Sequence, residues 1–135
     1  MKLTSIFLAL ITTSSIAFAQ QENKVEKLSN GVEINHLLFG EGKFPNSTSK
    51  VTVNYEGTLE NGKVFDSSYS RGKPINFRLD QVIECWKDGV QKMKVGGKAV
   101  LTCPSETAYG QRGVGGVIPP NAKLTFKVEL IDISN

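Results

Sequence analysis

Residues 108–126, AYGQRGVGGVIPPNAKLTF, hold Gly110, Gly113, Gly115 and Gly116 in close succession. Glycine-rich loops can cradle phosphate, because glycine lets successive backbone N–H groups converge on an anion. That chemistry needs a strand before the loop, a helix after it and a lysine at its end. Here the glycines run into Ile118-Pro119-Pro120 and then a strand-like stretch. The two prolines also remove donors where an anion would need them. The pattern excludes a phosphate cradle. It suits a flap that bends tightly and presents Val117 and Ile118 at a defined height.

The other reactive side chains form no recognised catalytic set. The single imidazole, His36, lies on a strand-like run, and no G-x-S-x-G segment occurs. An activated serine or cysteine nucleophile would therefore lack its base. No histidine–cysteine set has metal-ligand spacing, so no metal or other cofactor is expected. Facing carboxylates cannot be read from a linear pattern, which leaves glycoside hydrolysis without positive support. Cys85 and Cys103 have two readings, a disulfide suited to an oxidising compartment or two small buried apolar residues, and spacing does not separate them.

The N-terminus bears on the compartment. Lys2 precedes the apolar run Ile6-Phe7-Leu8-Ala9-Leu10-Ile11, and Ala17-Phe18-Ala19 has the A-x-A form. Residues 1–19 are thus read as a signal peptide cut before Gln20. The run is shorter than the roughly 20 residues of a spanning helix. No cysteine follows the cut, so the expectation is an exported protein, periplasmic or secreted, with no membrane anchor after cleavage. Lys and Arg number 16 against 13 Asp and Glu, without a basic block. Nucleic-acid binding is not indicated. Residues 20–29 read as a flexible leader, and residues 30–135 as one domain large enough to bury a core.

The elements that must position any site follow from periodicity. Residues 31–39 form a first strand. Val51, Val53, Tyr55, Gly57 and Leu59 alternate along a second with one buried face. Asn61-Gly62 is a hairpin turn, with residues 63–66 returning. Residues 74–79 make a short strand. Asp80 is a candidate N-cap for a helix of about three turns, with Val82, Trp86, Val90 and Met93 on one face. Gly96-Gly97 ends it. Residues 98–103 return as a strand, and Leu124, Phe126, Val128 and Leu130 alternate along the last. The class is α+β: a mostly antiparallel sheet with one short helix.

Three ordered blocks, VTVNYEGTLENGKVFDSS, VIECWKDGVQKMKVGGKAVLT and AYGQRGVGGVIPPNAKLTFKVELIDI, resemble signatures of the FKBP-type peptidyl-prolyl cis-trans isomerases, the macrolide-binding immunophilins. The likeness runs over residues 30–133, and the overall form resembles small exported bacterial members. It implies a twisted antiparallel sheet wrapped around one short helix, with an apolar pocket between them. It also implies rotation of X-Pro bonds in proline-containing polypeptides, with FK506- or rapamycin-class macrolides as inhibitors, and a monomer without cofactor. By this resemblance Trp86 is the pocket floor, and Tyr55, Phe65 and Phe126 are aromatic walls. Val82 and Ile83 lead into the helix, the Ile83 N–H binding a ligand carbonyl. Tyr109 supplies the flap hydroxyl, Val117 and Ile118 the flap tip, and Asp66 the pocket carboxylate with Arg71 as its charge partner. Ile75 stands where an aromatic often lines the pocket, implying a wall less suited to stacking. Val114 stands where a flap-tip histidine often does, the approach to the helix is shorter, and Cys85 fills a position that is often glycine. Without the resemblance, Trp86 would read as core and Asp66 as a turn residue. An alternative is a prolyl-peptide-binding chaperone module with incidental isomerase activity.

Overall fold

The computed structural model describes residues 23–134. The signal-peptide reading of residues 1–19 lies outside them. Among the described residues the chain forms one antiparallel sheet and one helix. Its elements are β1 (Lys24–Lys27), β2 (Glu33–Leu38), β3 (Lys50–Thr58), β4 (Val64–Ser67), β5 (Ile75–Arg78), α1 (Glu84–Val90), β6 (Lys98–Cys103) and β7 (Leu124–Ser134). The strand order is β1-β2-β6-β7-β3-β4, with β5 also paired to β3. This is the α+β architecture expected, and α1 lies against the sheet's inner face.

Alternation along the central strands builds the core. Val51, Val53 and Tyr55 of β3 are buried, as are Ala99, Leu101 and Cys103 of β6 and Leu124, Phe126, Val128 and Leu130 of β7. Their shared face receives Cys85, Trp86 and Val90 of α1. Gly89 lets the helix approach closely, since a Cβ there would stand 3.1 Å from Leu101 Cδ2.

One edge of β3 is divided between two partners. Residues Glu56 to Thr58 pair with β4, whereas Lys50 to Val53 pair with β5. Between these ladders Ser68 closes the gap. Its Oγ accepts the Tyr55 N–H at 2.9 Å and its own N–H donates to the Tyr55 carbonyl at 3.0 Å. The backbone of β3 stays satisfied there without a strand. Residues 68–74 are freed to loop outward beside Tyr55.

Two expectations change. Residues 24–27 are not a flexible leader but the edge strand β1, paired with β2 from Lys24↔His36 to Lys27↔Glu33. An edge strand is held by backbone bonds, so it needs no apolar alternation to exist. The helix is also shorter than its apolar spacing suggested. Asp80 does not cap it, since the helix's N-cap position is Ile83; the Asp80 carboxylate instead accepts Arg78 Nε and Nη2 at 3.1 and 2.7 Å. The chain makes a 3₁₀ turn at Leu79–Gln81, runs extended through Val82 and Ile83, and turns helical only at Glu84. Val82 and Met93 meet the core from the segments flanking α1 instead. The two cysteines form a disulfide, which joins the first turn of α1 to the last residue of β6.

Candidate active site

The split edge of β3, the start of α1 and the loop after β6 converge on a hollow of about 470 Å³. Trp86 stands at its base. Its ring lies edge-on to Tyr55, Phe77 and Phe126, with centroids 5.2, 5.3 and 5.5 Å away. Phe65 packs edge-on against Phe126 at 5.7 Å. Such contacts set the positive edge of one ring on the negative face of the next, which fixes orientation as well as burial. Gly57 makes room for this pair, because a Cβ there would fall 2.7 Å from Phe65 and 2.8 Å from Phe126. Val82, Ile83, Gln81, Tyr109 and Asp66 complete the lining.

The polar rim is a hydrogen-bonded triad. Asp66 Oδ2 accepts the Tyr55 hydroxyl at 2.5 Å and Oδ1 accepts Arg71 Nη1 at 2.8 Å. Arg71 Nη2 also donates to the Tyr55 hydroxyl at 3.1 Å. Both carboxylate oxygens are thereby held in place. Burial pushes the Asp66 carboxyl up, but the bonds from Arg71 and Tyr55 outweigh it and keep the group below the usual carboxylate range. Tyr55 is pushed up by burial and by donating to Asp66. Tyr109 is pushed up by burial and by the charge of Asp66. At neutral pH the hollow holds one fixed carboxylate and two neutral phenols.

A pH dependence follows. Because folding depresses the Asp66 pKa, its stabilising contribution is present above the unfolded value near ~3.9 and fades as pH falls through the lower folded value. The phenols stay protonated well past neutrality. The pH profile of kcat/KM is therefore expected to be flat from about pH 5 to about pH 9 and to fall only below about pH 4. Asp66→Asn should flatten the acid limb. An acid limb centred near pH 6 in the unaltered protein would show that another group governs it.

The remaining sequence-assigned residues divide. Arg71 reaches the triad from outside and does not line the hollow. Ile83 lies on extended backbone immediately before α1, its carbonyl accepting the Trp86 and Lys87 N–H groups. Ile75 does not line the hollow. Phe77, on the same face of β5, lines the hollow and stands edge-on to Tyr55 with ring centroids 5.8 Å apart. Phe77, near the end of β5, packs edge-on against Trp86 with ring centroids 5.3 Å apart. Phe77 and Gly57 were the positions that sequence reasoning missed. Phe77 shares the alternation of Ile75, and that shared face was the available signal.

The glycine-rich loop is a small hairpin. Val114 N–H donates to the Ile118 carbonyl, and the Val117 and Ile118 N–H groups donate to the Val114 carbonyl. Gly113 adopts φ +62° and its missing Cβ lets the Ile118 carbonyl approach. Gly110 and Asn121 N–H groups are likewise given to loop carbonyls. These donors are spent inside the loop, which agrees with the exclusion of a phosphate cradle. Ile118 is buried in the core and Val117 is exposed at the tip; neither lines the hollow. Only Tyr109 reaches it from this loop.

Comparison with known proteins agrees with this geometry. A profile of the FKBP-type peptidyl-prolyl cis-trans isomerases matches residues 41–131. The chain is 56% identical over 103 residues to FK506-binding protein 1 of Dictyostelium discoideum, covering 75% of this chain and 96% of that one. It is 48% identical over 113 residues to the isomerase FkpA of Escherichia coli, covering 84% of this chain but 42% of FkpA. The crystal structure of FkpA superposes with a TM-score of 0.79 at 46% identity, over 88% of this chain and 55% of that chain. A Pseudomonas syringae peptidyl-prolyl cis-trans isomerase superposes at 0.78 with 38% identity, over 89% and 88%. The chain thus spans nearly all of some relatives and about half of others. By this profile match and these identities, the chain belongs to the FKBP-type peptidyl-prolyl cis-trans isomerase family.

Proposed function

We propose that the hollow accelerates X-Pro rotation in exported polypeptides by favouring the twisted amide. The export context rests on residues 1–19, and a disulfide is at home in an oxidising compartment. Rotation about a peptide bond meets a barrier of about 18–20 kcal/mol because it breaks amide resonance. No covalent bond is exchanged, so no nucleophile is needed. Only interactions stronger in the twisted state than in either planar state raise the rate.

In the twisted amide the nitrogen becomes amine-like and the carbonyl loses charge separation. An aromatic site that excludes water suits that species better than water does. Trp86, Tyr55, Phe65, Phe77, Phe126, Val82 and Ile83 would receive the prolyl ring. The Ile83 N–H and the Tyr109 hydroxyl would hold backbone groups of the substrate. Asp66, fixed by Tyr55 and Arg71, would orient the rotating carbonyl through its charge, acting neither as acid nor as base. Val117, exposed on the flap, would touch residues beside the proline, while buried Ile118 supports the flap from beneath. Relatives named for FK506 binding support competition by a macrolide of that class at the same hollow.

The observation that carries the reading is the junction of one fixed carboxylate with a cluster of five rings, three of them edge-on to Trp86. An NMR exchange or protease-coupled assay on short X-Pro peptides tests it, and full activity in a Trp86→Ala, Asp66→Ala double variant would overturn it. Tyr109 is partly exposed, so its hydroxyl contributes less. Tyr109→Phe is expected to lower kcat/KM by about three- to tenfold with little change in melting temperature, as for one partly solvated hydrogen bond.

A further inference from the structure

A second cleft of about 460 Å³ lies at the opposite end of the helix, where β2 ends and the chain leaves α1. It shares no residue with the prolyl hollow. Its floor carries Phe39, stacked at 4.8 Å on the buried His36 ring. The His36 imidazole is committed to Glu26, Nε2 to Oε2 at 2.7 Å, so the floor's polar edge is already satisfied. Its walls are closely packed. A Cβ on Gly40 would fall 2.2 Å from the Val95 carbonyl oxygen, and one on Gly97 would stand 3.0 Å from the Leu38 carbonyl oxygen.

Its rim is cationic and apolar together. Phe44 is 55% exposed, and the Lys94 ammonium lies 5.3 Å from its ring centroid. Lys24 and Lys92 also line the cleft. None of these three lysines is in an ion pair with a carboxylate of the described residues. The one lining carboxylate, Glu26, is already engaged by His36. Free ammonium groups around exposed and half-buried rings complement an anion carried on an aromatic body.

We infer that this cleft is a second docking site for the polypeptide client, taking a segment in which acidic and aromatic residues are neighbours. The inference rests on the isomerase reading of the prolyl hollow, since its effect is to hold one chain at both places. α1 has seven residues, so the two sites stand about 10 Å apart along its axis and somewhat farther over the surface. A linker of about eight extended residues bridges that distance with slack. Holding the acidic segment raises the effective concentration of an X-Pro bond at the hollow without altering the chemistry there.

Two measurements test this. A proline-free peptide of alternating Asp and Tyr, titrated into the full chain, is expected to shift the NMR amide signals of residues 39–44 and 91–97, with a Kd on the order of 1 mM. Shifts confined to the prolyl hollow, or none, would overturn the site. Next, an X-Pro peptide joined by about eight residues to that segment is compared with one whose Asp residues are replaced by Lys. KM is expected to be about tenfold lower for the acidic peptide in the unaltered chain, with kcat unchanged. The difference should vanish in Lys94→Glu and shrink in Phe44→Ala, while both variants turn over a short unlinked X-Pro peptide normally. Equal KM values, or a difference that survives Lys94→Glu, would overturn the docking role. Failure of the isomerase reading would appear separately, as no turnover of the short peptide by the unaltered chain.

Discussion

Asp66→Ala is expected to lower kcat/KM for X-Pro peptides by about 10- to 100-fold while leaving the fold nearly as stable as before. Removing a preorganised electrostatic group from an active site typically costs a hundredfold or more, and the partial exposure of Asp66 places it at or below that figure. The equivalent barrier change is about 1.4–2.7 kcal/mol. Stability should respond much less. The Asp66–Arg71 pair has side-chain exposures of 39% and 45%, and water and salt screen such exposed pairs, so the pair adds little to stability. The melting temperature should therefore fall by no more than a few degrees. Tyr55 supplies the internal check. Its hydroxyl donates to Asp66 and accepts from Arg71, so the three groups act as one unit. Adding Tyr55→Phe to Asp66→Ala should lower kcat/KM by much less than Tyr55→Phe does alone. Additive losses, or an Asp66→Ala variant within twofold of the unaltered protein, would remove the carboxylate from the mechanism.

The legibility of this molecule in its sequence follows what each element needs. β3, β6 and β7 bury one face and expose the other, so their alternation could be read directly. β1 could not be read, because an edge strand is held by backbone bonds that any residues supply. The helix was read too long for a related reason. Val82 and Met93 fall at helical spacing from Trp86 and Val90, but both reach the core from outside the helix. Spacing reports which residues face inward and not the backbone that brings them there. The site was legible only through resemblance. Asp66, Tyr55 and Arg71 are 11 and 16 residues apart at the ends of their contacts, and they meet because β3 changes partner at Ser68. No local pattern marks that change. Phe77 was missed because Ile75 has the same parity. The choice between them is made by the turn at Leu79–Gln81, whose geometry depends on Leu79 being fully buried and its N–H donating to the Ser49 carbonyl at 2.9 Å.

Replacing both bridged cysteines, as Cys85→Ala with Cys103→Ala, is expected to remove about 3 kcal/mol of stability. The bridge spans a sequence separation of 18 residues, and closing a loop of that size restricts the unfolded chain by about that amount. For a chain of this length the melting temperature should drop by about 10–15 °C. Activity should survive better than stability. The bridge joins the residue before Trp86 to the strand that leads into the flap, but the rings of Tyr55, Phe77 and Phe126 also hold Trp86. At 15 °C the double variant is expected to keep kcat/KM within about threefold, the scale of a small change in positioning. Both cysteines are fully buried, so reductant should reach them only when the core opens. Thiol alkylation read by intact mass should therefore need denaturant as well as reductant. A melting-temperature drop under 3 °C, or alkylation of both cysteines in the native protein within minutes, would show that the bridge does not hold the folded state together. In that event the rings and the β3–β7 ladder alone would have to keep the floor of the hollow in place.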